Sequence, residues 1–320
     1  MKSKYIEGFS VVIPTYNRKK QLFRLLDSIS KEDISNLHEI IIVDNNSDYD
    51  IYEVLNKYSN EKIRIVKNSI NVKMSTNIVN TFLHCKTKWM WLISDDDIIC
   101  ENSIQKISNI LPYNSNMAYL KFSTSGIDRL GIERNLKVEN LEGFIDYYTN
   151  EKVVRTGNMI FISNGVFNLE VLYPFLGRGF EFSYTYIGFL IPVFFALKNN
   201  IPVRFFEDKI VKYVRPENGT WSFSNVGLGL STLSHLPLSL SKIYFEKFVK
   251  MVTPIHFQIM FEYLVKNPNV NNHFYYSIIY HNSYKYYLNK FEKIQYYDFS
   301  FFLLYPRLAT YILKIFRKNE

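Results

Sequence analysis

Four times within the first hundred residues a short run of apolar side chains halts at a polar cluster. Residues 9–13 halt at Pro14, residues 40–43 at Asp44, residues 63–66 at Lys67, and residues 90–93 just short of three adjacent carboxylates, Asp95, Asp96 and Asp97. Between the first two runs, Leu22, Leu25, Leu26 and Ile29 fall at helical spacing and predict a helix over residues 19–30. Further helices are predicted near residues 51–58 and over 75–85. Strands apolar on nearly every position, alternating with helices, predict an α/β fold with a mostly parallel sheet covered on both faces. Ligands of such sheets lie beyond the C-terminal ends of the strands. Those ends carry Thr15 to Arg18, Asp44 to Ser47, Asn68 to Lys73, and Asp95 to Asp97. The glycine-rich loops of a dinucleotide fold or a P-loop are missing, so phosphate on this rim is expected to be held by a metal ion.

Further along, residues 118–128 predict a strand and turn, 138–150 a loop with a short helix, 158–168 a second strand and turn, and 187–197 an apolar helix. Glu207 and Asp208 predict a turn before a strand over 209–214. The pattern divides the chain into an α/β domain over residues 1–225, with halves 1–110 and 111–225, and a helical region over 226–320 rich in Tyr and Phe. The last stretch, 301–318, is apolar with Arg307, Lys314, Arg317 and Lys318 set into it. It fits an interfacial membrane helix and a helix packed on the core equally well.

Composition narrows the function classes. Hydrophobic residues make up 47% and charged residues 21%, which places the chain among globular proteins. The 17% of aromatic residues suits rings lining a sugar or membrane-facing surface, and equally an AT-rich coding bias. Of the net +8, residues 221–320 supply +6, with 11 Lys and Arg against 5 Asp and Glu. Basic character confined to the last third argues against a nucleic-acid groove through the main domain and for an anionic surface met by the C-terminal region. Cys85 and Cys100 lack zinc spacing, and the six histidines form no ligand pair. No signal peptide and no apolar run of membrane-spanning length is found, so synthesis in the cytoplasm is expected.

Three neighbouring carboxylates at the mouth of a core strand repel one another unless a cation offsets them. Mg²⁺ or Mn²⁺, which take oxygen ligands and share them with substrate phosphates, are the expected partners. An acidic loop or helix start is the plainer reading of the same residues.

Val11-Val-Ile-Pro-Thr-Tyr-Asn-Arg, Ile42-Val-Asp-Asn-Asn-Ser and Leu92-Ile-Ser-Asp-Asp-Asp, in this order and spacing, resemble the opening half of family 2 glycosyltransferases of the GT-A fold, over roughly residues 9–110. Arg215-Pro-Glu-Asn-Gly-Thr-Trp-Ser is similar to a segment of the abequosyltransferase-like subgroup of O-antigen and capsule enzymes. The resemblance implies an inverting, metal-dependent transferase that moves a sugar from a nucleotide-diphosphate donor to a glycan or lipid-linked acceptor. It assigns nucleotide-sugar binding to residues 1–110 and the acceptor to 111–225. Pro14, Thr15, Tyr16 and Asp44 would surround the base, with Asn17, Arg18 and Asn71 completing the donor set. Asp95 would lie near the ribose and Asp96 on the metal; the register also fits Asp95-Asp96-Asp97, which makes Asp97 a second candidate ligand. Arg215 would meet the leaving diphosphate, and Glu181, beyond Gly177 and Gly179, would be the base. Asn45 stands where the family has a second acidic residue, and Lys73 where an Asn-X-Gly turn is common. Lys73 is then either a solvated lysine or an added phosphate contact. A nucleotide-sugar-binding protein without turnover is the rival reading.

Overall fold

The computed structural model describes residues 4–58, 61–126, 132, 134–149, 156–215, 223–253 and 270–304. The chain forms two compact units, Met1–Thr220 and Trp221–Glu320.

The first unit opens with β1 (Ile6–Thr15), α1 (Lys19–Ile29), β2 (Leu37–Asp44), α2 (Glu53–Lys57), β3 (Ile63–Lys67), α3 (Met74–His84) and β4 (Thr87–Leu92). These four strands lie side by side in the order β3-β2-β1-β4, and every pairing among them is parallel. Val11, Ile13, Ile40, Ile42, Trp89 and Trp91 form one core with Leu22, Leu25, Leu26 and Ile29 of α1. Each such side chain, fully buried, contributes about 1.5–3 kcal/mol. The register matters for function: Thr15 pairs with Asp44, and Asp44 with Lys67, so three strand ends finish in one row.

The unit continues with β5 (Ile98–Ile99), α4 (Ser103–Ile110), β6 (Tyr119–Ser125), β7 (Leu136–Val138), α5 (Leu141–Thr149), α6 (Thr156–Ile160), β8 (Gly165–Asn168), α7 (Leu169–Leu172), α8 (Leu176–Glu181), α9 (Ile191–Lys198) and β9 (Val203–Lys212). They extend the sheet to nine strands in the order β3-β2-β1-β4-β8-β6-β9-β5, with β7 on β9. β8 runs antiparallel between β4 and β6, and β9 runs parallel to β6. The fold is the expected α/β sheet, its first four strands wholly parallel and the rest mixed.

Several local expectations are corrected. The strand predicted over 158–168 begins only at Gly165, because Asn158 and the carbonyls of Met159 and Phe161 are tied by side chains of the neighbouring elements instead of a strand ladder. Glu207 and Asp208 are not a turn. They bulge out of a continuous β9, whose pairing with β6 steps from Phe122–Phe206 to Ser123–Lys209, and both point into solvent. The glycine-flanked segment Gly177 to Glu181 is helix α8, in which Gly179 packs so closely on the Gly188 carbonyl that a Cβ would lie 2.9 Å from it. The apolar helix expected from 187 starts at Ile191, with Pro192 in its first turn, where a missing N–H costs nothing.

Among the described residues the second unit is helical, with α10 (Phe223–Ser231), α11 (Lys242–Val252) and helices Val270–Asn282 and Lys290–Leu304. Its small core is tyrosine-rich: Tyr276, Tyr280, Tyr284 and Tyr296 are buried, and Tyr280 stacks on Tyr296 at 3.8 Å between ring centroids. Among the described residues no helix is long and apolar enough to cross a membrane. Most of the 301–318 tail lies outside the described residues.

Candidate active site

The site is built on the row of strand ends. Asp44 closes β2 with no exposed surface and accepts both the backbone N–H of Ser47, at 3.1 and 3.2 Å, and its hydroxyl, at 2.5 Å. Asn46 makes the intervening turn possible by adopting φ +66°, a conformation asparagine tolerates better than most residues. The Lys67 ammonium stands 3.9 Å from the outer Asp44 oxygen. Beside it, Asn17 at φ +54° locks its loop to the next one, with its N–H on Ser47 Oγ and its amide exchanging two bonds with Asp48.

Asn45 is buried, 2% exposed. Its Oδ1 accepts from Asn68 Nδ2 and the Val72 N–H, and its Nδ2 donates to Asn71 Oδ1 at 2.9 Å. Asn71 Oδ1 also accepts the Lys73 N–H, and Asn68 donates on to Asn77. This asparagine ladder fixes the loop between β3 and α3. Where a glycine is common, Lys73 is held at φ +69°, ψ 162°, a region that suits glycine and costs other residues strain. Its side chain is exposed.

Beyond β4 the three acids divide. Asp95 is 3% exposed, accepts the Thr15 hydroxyl at 2.7 Å and meets Arg18 Nη1 at 3.0 Å. Burial pushes its carboxyl up to about 6 against the pull of Arg18, and the neighbouring Asp96 charge adds to the rise. Asp97 is 1% exposed and turns into the protein, where its oxygens accept the Ser163 hydroxyl and the Val214 N–H. Burial pushes it up to about 7, with Ser163 holding it lower than burial alone would. Asp96 is the rim carboxylate, its side chain 16% exposed; Arg18 Nη1 donates to one oxygen at 2.7 Å and Ser94 Oγ to the other at 2.6 Å. Arg24 secures the loop from behind, donating to the Asp96 carbonyl at 2.6 Å.

Residues 10–168 match the family described as Glycosyl transferase family 2. Those residues are a family 2 glycosyltransferase domain. Abequosyltransferase RfbV of Salmonella typhimurium is 28% identical over 127 residues, 38% of this chain and 38% of that protein. An uncharacterized glycosyltransferase of Haemophilus influenzae is 25% identical over 111 residues, 35% of this chain and 37% of that protein. The match thus spans little more than a third of the length of these curated relatives. The crystal structure of TarS residues 1–349 from S. aureus superposes with a TM-score of 0.66 at 12% identity, over 94% of this chain and 92% of that one, and its complex with UDP with a TM-score of 0.61 at 13% identity, over the same shares of the two chains. At such identity the likeness shows the GT-A fold.

The family 2 domain therefore brings Thr15, Arg18, Asp95 and Asp96 into one hydrogen-bonded group, with Asp44 next to Thr15 in the sheet. Pro14 lies within β1, paired with Val43, and Tyr16 follows it 40% exposed. Glu181 is placed differently: it ends α8 half exposed, in an ion pair with Arg178 at 2.6 Å. Arg215 is exposed just past β9.

Among the described residues no three carboxylate, histidine or cysteine side chains converge on one metal position, and a hard divalent cation would have Asp96, the one carboxylate of the triplet near the surface, to share with substrate oxygens, its two oxygens here accepting Arg18 and Ser94. Arg18 already stands on that carboxylate.

Three residues of the domain had not been picked out from the sequence. Ser163 links Asp97 to the backbone of Ser94, whose N–H it accepts at 2.9 Å, and its carbonyl accepts Trp91 Nε1 at 2.8 Å. Lys121, 1% exposed in the middle of β6, donates to the Phe161 carbonyl at 2.7 Å and faces that of Met159, so it ties down the segment that carries Ser163. Burial drives its amine well below the usual lysine range. The signal was available: a lysine alone within an apolar strand. Tyr49 has a buried hydroxyl beside Thr15 and Ser47; burial pushes it up to about 12, with Asp44 and Asp95 adding to the rise and Thr15 and Ser47 opposing it.

Proposed function

We propose that this chain is a metal-dependent inverting glycosyltransferase that moves a sugar from a nucleotide-diphosphate donor to a hydroxyl of a glycan or lipid-linked glycan in bacterial surface polysaccharide synthesis. The carrying observation is the placement of a fully buried Asp44 at the end of β2 and a rim carboxylate, Asp96, beyond the end of β4, on either side of β1 within the matched family 2 segment. In this reading Asp44, with Pro14, Thr15 and Tyr16, receives the base, Asp95 lies by the ribose, and Asn17 and Asn71 shape the loops around them. Mg²⁺ or Mn²⁺ on Asp96, when bound, supplies positive charge for the diphosphate. Asp97 supports this group from within through Ser163. Arg215, whose guanidinium can meet phosphate bidentately, is assigned to the departing nucleotide. Glu181, open to solvent, is assigned to the acceptor's proton, and substrate must then draw it from Arg178. Residues 1–225 carry the reaction, and 226–320 is assigned to peripheral contact with the inner face of the membrane. The support for that contact is the row Phe291, Ile294 and Tyr297, exposed at helical spacing beside Lys290 and Lys293.

The test is a panel of nucleotide sugars scored for metal-dependent thermal stabilisation and for release of nucleoside diphosphate with a surface-glycan extract as acceptor. Stabilisation with release supports transfer. Stabilisation without release assigns a binding protein, and a panel with neither effect overturns the reading.

A further inference from the structure

Arg18 does more at the acid loop than neutralise it. One guanidinium nitrogen, Nη1, bridges Asp95 Oδ1 at 3.0 Å and Asp96 Oδ2 at 2.7 Å, and Ser94 holds the second Asp96 oxygen. A divalent ion on Asp96 would stand within a few ångströms of this charge, where two positive charges repel. The two cations therefore compete for one carboxylate. The loop is arranged to survive the exchange, because Arg24 holds the Asp96 carbonyl and Ser163 the Ser94 N–H, neither of which depends on Arg18. Arg18 sits immediately before α1, its side chain 22% exposed and built on four rotatable bonds.

We propose that Arg18 is a tethered cation that excludes a divalent ion from Asp96 until an anionic ligand draws the guanidinium away. The donor's diphosphate has the chemistry to do so, since guanidinium binds phosphate oxygens as well as carboxylate. Ion and donor would then enter together, and the ion alone would bind weakly. The inference rests on the proposed use of a divalent ion.

The experiment measures Mn²⁺ binding to the full chain by electron paramagnetic resonance, with no nucleotide and no turnover, so failure of the transferase reading leaves it interpretable. The natural chain is compared with Arg18→Met, and Asp95→Asn with the Arg18→Met/Asp95→Asn pair. The second comparison removes the buried Asp95 charge that Arg18 would otherwise leave uncompensated, and keeps the test valid where the single variant does not fold. Loss of Arg18 is expected to tighten Mn²⁺ binding at least tenfold in each comparison that yields folded protein. Equal affinity with and without Arg18, or tight Mn²⁺ binding by the natural chain, overturns the proposal.

Discussion

At the scale of single residues, the acids of the loop after β4 do different work although they are neighbours in sequence. Asp96→Asn should lower turnover on the order of 10²-fold or more while the fold persists, because the side chain is at the surface and its loop is held by Arg24 and Ser163. Steady-state kinetics beside an unfolding curve checks both halves. Asp44→Ala should act on binding and on stability together: the donor KM rises, and about 1–3 kcal/mol of stability goes with the unsatisfied Ser47 N–H and hydroxyl. Lys121 gives a pH test. The unfolded lysine holds its proton up to about 10.5 while the buried one does not, so the unfolded state binds more protons and stability rises with pH. Relative to Lys121→Met, the natural chain should gain up to about 1.4 kcal/mol for each pH unit as pH rises toward 10.5. Urea unfolding of both at several pH values reads this, and a pH-independent difference would refute it. What the sequence concealed here was partnership: three aspartates in a row say that charge is concentrated, but not that Asp97 turns inward to Ser163, 66 residues away.

At the scale of elements, the parallel half was legible because β1, β2 and β4 each carry a run of consecutive buried apolar residues, even the edge strand β3 is apolar at three of its five positions, and α1 shows a one-sided stripe. The later elements were less so. A bulge and a turn look alike at Glu207 and Asp208, since both place charges in solvent, and only the pairing of β6 with β9 distinguishes them. β8 opens on Gly165, where a Cβ would lie 2.4 Å from the hydroxyl and 2.7 to 2.9 Å from the ring of Tyr119, itself only 1% exposed. Gly165→Ala should therefore cost about 1–3 kcal/mol by forcing β8 off β6, measured as a shift in the denaturation midpoint with unchanged slope. In the other direction, Lys73→Gly should relieve the strained turn before α3 and raise the unfolding temperature by a few degrees.

At the scale of the whole molecule, the first four strands of the sheet finish on one polar rim, the place proposed for a nucleotide and its phosphates, and the second half of the unit supplies Ser163 and Val214 to brace that rim. The sugar and acceptor were not legible, because loop and pocket shape decide them and no short motif encodes either. The central claim is transfer from a nucleotide sugar with Asp96 as the decisive carboxylate. The most direct measurement is the rate of nucleoside diphosphate release from the best-stabilising donor of the panel, with Mn²⁺ titrated, for the natural chain and for Asp96→Asn. The account predicts release that rises with the ion in the natural chain and is lower on the order of 10²-fold or more in the variant; equal rates in the two proteins would contradict it.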